Sequence, residues 1–223
     1  MKKINTLIAL LLIGGAAFAQ TNWSVDKAHS NVQFTVTHNV ISEVSGIFKD
    51  YSAVITTKGE DFANGGEVEF VVKTTSIDTE NERRDDHLRG DDFFNAAQYP
   101  DITFKGNLVK EGAKYLLKGN FTLRDVTKPV SFDAAYLGSI DTGPRGIVAG
   151  WKVSGKINRL DYGLKYKQQL ATGEYVVADE VQILVKLQLR KVVPGQGGPR
   201  MGAPGAPPAG APPAGQAPAP RQN

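Results

Sequence analysis

The sequence predicts an all-β protein: an antiparallel, eight-stranded barrel crossed by one short helical segment near residues 80–97. Three observations carry this. Apolar and polar residues alternate with period two through most of the chain, as in strands with one dry and one wet face. Clusters of Gly, Pro, Asn and Asp separate the alternating runs at hairpin spacing. Between most runs no segment of helical period intervenes, so the helical crossovers of a parallel sheet are missing.

In chain order, the first strand sets Val32, Phe34 and Val36 against Asn31, Gln33 and Thr35, and a shorter run spans Tyr51 to Thr57. The next sets Val68, Phe70 and Val72 against Glu67, Glu69 and Lys73; "ANGG" from Ala63 is the turn before it. Ile102 to Leu108 follows, then "KEGAK" from Lys110, then Tyr115, Leu117, Phe121 and Leu123 against Lys118, Asn120, Thr122 and Arg124. "RDVTKP" from Arg124 leads into Val130 to Leu137, and "DTGPRG" from Asp141 leads into Ile147, Ala149, Trp151, Val153 and Ile157. The last strand presents Val181, Ile183, Val185, Leu187 and Leu189 on one face. Eight half-buried strands leave two sheet edges bare unless the sheet closes, so an up-and-down barrel is expected, with a two-sheet sandwich as the alternative.

The interruption is "NERRDDHLRGDDFFNAAQYPDITF", Asn81 to Phe104. Thr79 or Asn81 is placed to cap a short helix, Asp85 and Arg89 are spaced as a helix-surface ion pair, and Gly90 is placed to end the helix. Phe93 and Phe94 return the chain to the core, which makes the segment a crossover at a barrel mouth.

The ends differ from this body. "MKK", the apolar run "INTLIALLLIGGAAF" and "AFA" before Gln20 follow the order of a cleavable secretory signal, so residues 1–19 are expected to be removed after Ala19. The expected location is the periplasm or the exterior, with no membrane span left. Residues 194–223 hold nine of the 12 prolines and no acidic residue, and are expected to be a disordered or polyproline-like tail. Residues 20–193 remain as one domain. Of the 26 basic residues four lie in the two ends, leaving 22 against 23 acidic residues between them, so nothing in the body argues for nucleic-acid binding. The absence of Cys excludes disulfides and thiolate chemistry.

"WSVDKAHSNVQFTVTH" (Trp23 to His38), "GIFKDY" (Gly46 to Tyr51), "SIDTENERRDDHLRGDDFFNAAQYPDITF" (Ser76 to Phe104), "GNFTLRDVTKPVSF" (Gly119 to Phe132) and "INRLDYGL" (Ile157 to Leu164) resemble, in order, the signatures of the YceI-like family. The resemblance implies a lipocalin-like barrel with an apolar tunnel, exported to the periplasm, that binds a polyisoprenoid or another long amphiphilic lipid. Two departures stand out. Asp125 follows "TLR" where the family favours Gly, with a positive φ expected there. The last strand ends "KLQLRK" without the family's usual acidic residue.

An eight-stranded barrel is just wide enough to be filled by side chains or to hold one small ligand. Phe34, Val36, Phe70, Phe104, Phe121, Phe132 and Trp151 are the expected ligand-facing wall, while Ala53, Gly106, Gly119, Ala134 and Ala149 are expected to leave room. His38 shares the inward parity of Val36 and, with Arg84 and His87, is a candidate for the head group at the rim. Asp26, His29 and Ser30 are expected to form a turn network rather than a hydrolase triad, since no nucleophile elbow accompanies them. His29, His38 and His87 lack metal-ligand spacing, and no residue pattern calls for a cofactor. The expected function is carriage of a polyisoprenoid, isoprenoid quinone or fatty-acid-like lipid without catalysis. The alternatives are an enzyme acting on such a lipid through His38, Arg84 and Asp85, and a non-binding barrel with an adhesive or partner-binding tail. Homodimerisation is left open.

Overall fold

The computed structural model describes residues 20–59 and 61–193. The expected signal segment, 1–19, and the expected tail, 194–223, lie outside the described residues. The strands are β1 (Gln20–Val25), β2 (Asn31–His38), β3 (Ser42–Phe48), β4 (Tyr51–Lys58), β5 (Gly66–Lys73), β6 (Ile77–Asp78), β7 (Asp101–Glu111), β8 (Lys114–Leu123), β9 (Val126–Asp141), β10 (Ile147–Asn158) and β11 (Val177–Lys191), with one α-helix, α1 (Glu82–Arg89). All pairs are antiparallel, and the ring β1-β4-β5-β7-β8-β9-β10-β11 closes through β1 and β11. The chain is therefore a closed eight-stranded barrel, and the sandwich is excluded.

The eleven strands reduce to eight because three pairs are single long strands broken in the middle. β1 and β2 share one edge of β11, with Trp23 opposite Lys191 and Val36 opposite Val181. They are separated by a 3-10 turn, Lys27–His29, capped by the Asp26 carboxylate on the Ala28 N–H. β3 and β4 are likewise joined through Lys49 and Asp50, and β5 and β6 through a 3-10 turn at Thr74–Ser76. β1, β3 and β6 are not expected from alternation. In β3 the inward row is Val44, Gly46 and Phe48, so glycine interrupts the apolar pattern.

Two expectations need correction. The left-handed residue of the β8–β9 turn is Arg124, at φ 57°, and Asp125 has no positive φ, so this turn does not need glycine at 125. Asp85 and Arg89 are not a surface pair: Asp85 is 5 % exposed and turned inward, and Arg89 bonds Asp86 and the carbonyls of Thr75 and Ile77. The Asn81 cap is as expected, its side chain accepting from the Arg84 N–H.

One end of the barrel is plugged. Phe62, from the β4–β5 connection, packs on Trp23 at 4.7 Å and Trp151 at 5.1 Å between ring centroids, and Tyr136 and Tyr115 complete the cluster around Trp151. Ala134 and Ala149 are buried in this plug, so the space they leave is occupied. Gly106 and Gly119 face each other across β7 and β8, where a Cβ on either would lie 2.8 Å from Phe104 Cζ. They make room for a flattened ring, not for ligand. Phe34 lies the same way on Gly46, and Phe132 on Gly155. Glycine on the wall lets three phenyl rings lie along it, which keeps the axis of the barrel open.

Candidate functional site: an apolar cavity open at one end

Beyond the plug the barrel encloses a cavity of about 640 Å³, bordered almost wholly by apolar side chains. That volume suits a small-molecule or lipid ligand. The inward residues at its middle, Phe34, Val36, Phe70, Phe121, Val181 and Ile183, are only half-buried. Side chains of this parity would be fully buried in a filled barrel; here they face open space.

The mouth is built where the ring of strands gives way to loops. β2, β3 and the start of β11 form one side, and α1, residues 90–100 and residues 159–176 form the other. Two buried arginines hold these loops. Arg124 donates to the carbonyls of Asp91, Phe93 and Gly163, meets the Asp91 carboxylate at 3.2 Å and lies 5.1 Å over the Tyr99 ring. Arg159 donates to the carbonyls of Ala178, Tyr166 and Val177, with Asp179 at 3.4 Å. Burial lowers the pKa of the Arg159 guanidinium, and Asp179 opposes that shift. Hydrogen bonds from Lys165, chiefly, and Arg124 hold the Asp91 carboxyl below the usual range.

All seven expected wall residues border the cavity: Phe34, Val36, Phe70, Phe104, Phe121, Phe132 and Trp151. Trp151 lies at the plugged end, 3 % exposed, with its indole nitrogen buried and without a hydrogen bond among the described residues. The three rim candidates border the cavity too, in unequal states of commitment. Arg84 is engaged: its Nε donates to Thr79 Oγ1 at 2.7 Å and its Nη2 to the Thr79 carbonyl at 2.6 Å. The same hydroxyl donates to buried Asp85, so Arg84 and Asp85 fasten α1 through Thr79, not through each other. His87 lies 3.1 Å from the Asp92 carboxylate and packs edge-on to Phe93 and Tyr166. His38 is half-buried, and its ring forms no hydrogen bond among the described residues.

Sequence reasoning missed Arg83 and Arg159. Arg83 borders the cavity, is exposed and has no ion pair among the described residues, which makes it a freer cation than Arg84. Nothing in the charge run distinguished the two; the helix phase decides it. Arg159 shares the parity of Val153 and Ile157, and that parity was the available signal.

Asp26, His29 and Ser30 form a turn network on β11, remote from any nucleophile geometry. Asp26 accepts from the Ala28 N–H and from Arg190, with His29 Nδ1 at 3.1 Å, while Ser30 Oγ accepts from the Gln188 N–H. Among the described residues no three His, Asp or Glu side chains converge as metal ligands would.

Fold and site together define a closed antiparallel barrel with one apolar, ligand-sized interior, sealed at one end and open at the other. The YceI-like domain model matches residues 23–189, and the chain belongs to that family. It is 36 % identical over 163 residues to protein YceI of Escherichia coli O157:H7, covering 72 % of this chain and 84 % of that one. It is 33 % identical over 186 residues to protein YceI of Salmonella newport, covering 82 % and 93 %. Among solved structures, a Campylobacter jejuni YceI protein superposes with a TM-score of 0.58 at 34 % identity, covering 76 % of this chain and 96 % of that one. A barrel from Saccharophagus degradans described as a polyisoprenoid binding domain gives 0.56 at 18 % identity, covering 76 % and 98 %.

Proposed function

We propose that the protein is an exported binding protein that holds a polyisoprenoid, or a similarly long amphiphilic lipid, in the barrel and does no chemistry on it. The observation that carries this is the apolar cavity itself, plugged by Phe62 and Trp151 and open beside His38 and α1. A long chain threaded along the Phe-lined axis is stabilised at about 25 cal/mol per Å² of apolar surface removed from water, less the cost of ordering it. Its polar end then lies among His38, His87 and Arg83 at the mouth. The barrel described as polyisoprenoid-binding is a precedent for this class of cargo in this fold.

The polar groups support holding over catalysis. Arg84 and Asp85 are engaged at Thr79, and His87 is paired with Asp92, which leaves His38 without a positioned acid or base partner among the described residues. Export rests on the N-terminal pattern of residues 1–19.

Native mass spectrometry of protein recovered from cell fractions tests both parts. A stoichiometric isoprenoid or acyl lipid on protein from the periplasmic or extracellular fraction, shortened to begin at Gln20, is the expected result. A chain that neither retains nor takes up any such lipid refutes carriage. Turnover of added lipid, abolished by His38→Ala, would establish the enzyme instead.

A further inference from the structure

The tip of the β2–β3 hairpin is apolar and exposed, and it stands at the cavity mouth. Ile41 is 90 % exposed and Val40 54 %. Val40 also occupies left-handed backbone at φ 66°, which is costly for a β-branched side chain, and Asn39 before it lies at φ 51°. Neither apolar side chain is repaid by packing within the barrel. The tip is nevertheless held: the Asn39 N–H donates to the Val176 carbonyl at 2.8 Å, and Ser42 Oγ to the His38 carbonyl at 2.9 Å. His38 and Val176 both border the cavity, so the tip is continuous with its opening.

We propose that this tip is a membrane-docking element: Val40 and Ile41 enter the interfacial region of a phospholipid bilayer and set the open end of the barrel against it. This rests on the lipid-carrier reading for its purpose, since a cargo passing between bilayer and barrel then avoids water. It stands on the hairpin's geometry for its test. Arg83, exposed on the same rim and without an ion pair among the described residues, is placed to meet a lipid phosphate. Glu82 and Asp86 lie on the same helix as Arg83, so apolar burial and not net charge is the main attraction. Among the described residues no helix is long and apolar enough to cross a membrane, and the contact assigned here is one of a loop.

The opposite end supplies an internal control. Leu137 and Ile140 of β9 are 68 % and 65 % exposed, comparably apolar, but lie beyond the Trp151 plug. Because the chain has no Cys, a polarity-sensitive dye is placed uniquely by Ile41→Cys or Ile140→Cys. Both labelled proteins, expressed from the full sequence and purified, are mixed with phosphatidylethanolamine and phosphatidylglycerol vesicles carrying a depth quencher. The label at 41 is expected to shift to the blue and be quenched, and that at 140 to stay aqueous. The response should persist at about 1 M salt, where the screening length is about 3 Å. In unlabelled protein, Val40→Asn with Ile41→Asn is expected to cut the vesicle-bound fraction at least about tenfold. Asn tolerates the left-handed backbone, and unchanged thermal unfolding confirms that the variant is folded. An aqueous signal at 41, equal signals at both sites, loss of docking in salt, or full docking by the double variant would each overturn the proposal. Mass spectrometry of the same preparations reads cargo separately: a protein without lipid whose tip still inserts refutes carriage alone.

Discussion

Arg159 tests how the mouth is held together. Its side chain is fully buried and its guanidinium joins three carbonyls, two at the start of β11 and one, from Tyr166, in the loop 163–176. Arg159→Met keeps a long unbranched side chain and removes every one of these bonds. Hydrogen bonds to a charged group contribute about 1.5–3 kcal/mol each. Part of that sum is offset because the guanidinium no longer has to be desolvated, and removal of one partner from a buried charge network typically costs about 3–5 kcal/mol. We expect that range for Met, and roughly half for Lys, whose ammonium keeps the charge but cannot fork between Tyr166 on one side and Val177 with Ala178 on the other. Urea unfolding reads the loss as a lower midpoint at unchanged slope. Tyr166 and Val177 also border the cavity, so bound lipid should leave the Met variant faster. A Met variant with the wild-type midpoint and release rate would refute the reasoning, and equal losses for Met and Lys would refute the role given to the fork.

Three further outcomes are expected. Gly155→Ala places a Cβ 2.0 Å from Phe132 Cδ1 and must push that ring toward the axis, costing about 1–3 kcal/mol and reducing the lipid retained per barrel, as read by native mass spectrometry. Phe62→Ala removes the plug residue at the cost of about 3–5 kcal/mol, read by thermal or urea unfolding; a loss below 1 kcal/mol would show that the aromatic cluster seals without it. The third concerns pH. Burial by itself raises the Asp26 pKa, but hydrogen bonds from His29, Arg190 and the Ala28 N–H outweigh it, so the folded value is below the ordinary one. Its contribution to stability is therefore complete above the unfolded value of about 3.9 and is lost as pH falls through the lower folded value. Unfolding midpoints measured down that range should fall less steeply for Asp26→Asn than for wild type.

Most of the barrel was legible in the sequence because a strand that divides core from solvent must alternate, and eight such runs with hairpin turns leave few ways to hide the edges. The inward parity of Phe34, Val36, Phe70, Phe104, Phe121, Phe132 and Trp151 followed from the same constraint, as did that of His38. Glycine in an inward row was ambiguous: Gly106 and Gly119 read as empty space, while the structure lays Phe104 over them. The broken strands were hidden for a related reason, since β3 carries Gly46 at the centre of its dry face.

Position in the barrel, by contrast, needs the closed sheet. Alternation says that a residue points inward, not whether it meets the plug, as Trp151 does, or open space, as Phe34 does. Nor could a run such as Arg83, Arg84 and Asp85 say which charge is spent. Helix phase and the Thr79 hydroxyl, brought to α1 by the preceding turn, engage Arg84 and bury Asp85, and leave Arg83 exposed at the mouth without an ion pair among the described residues. The sequence by itself determined the strand faces, because burial acts on each residue in turn. Hollowness, the sealed end and the state of each rim charge were decided by tertiary structure, because each depends on what distant segments place opposite a given side chain.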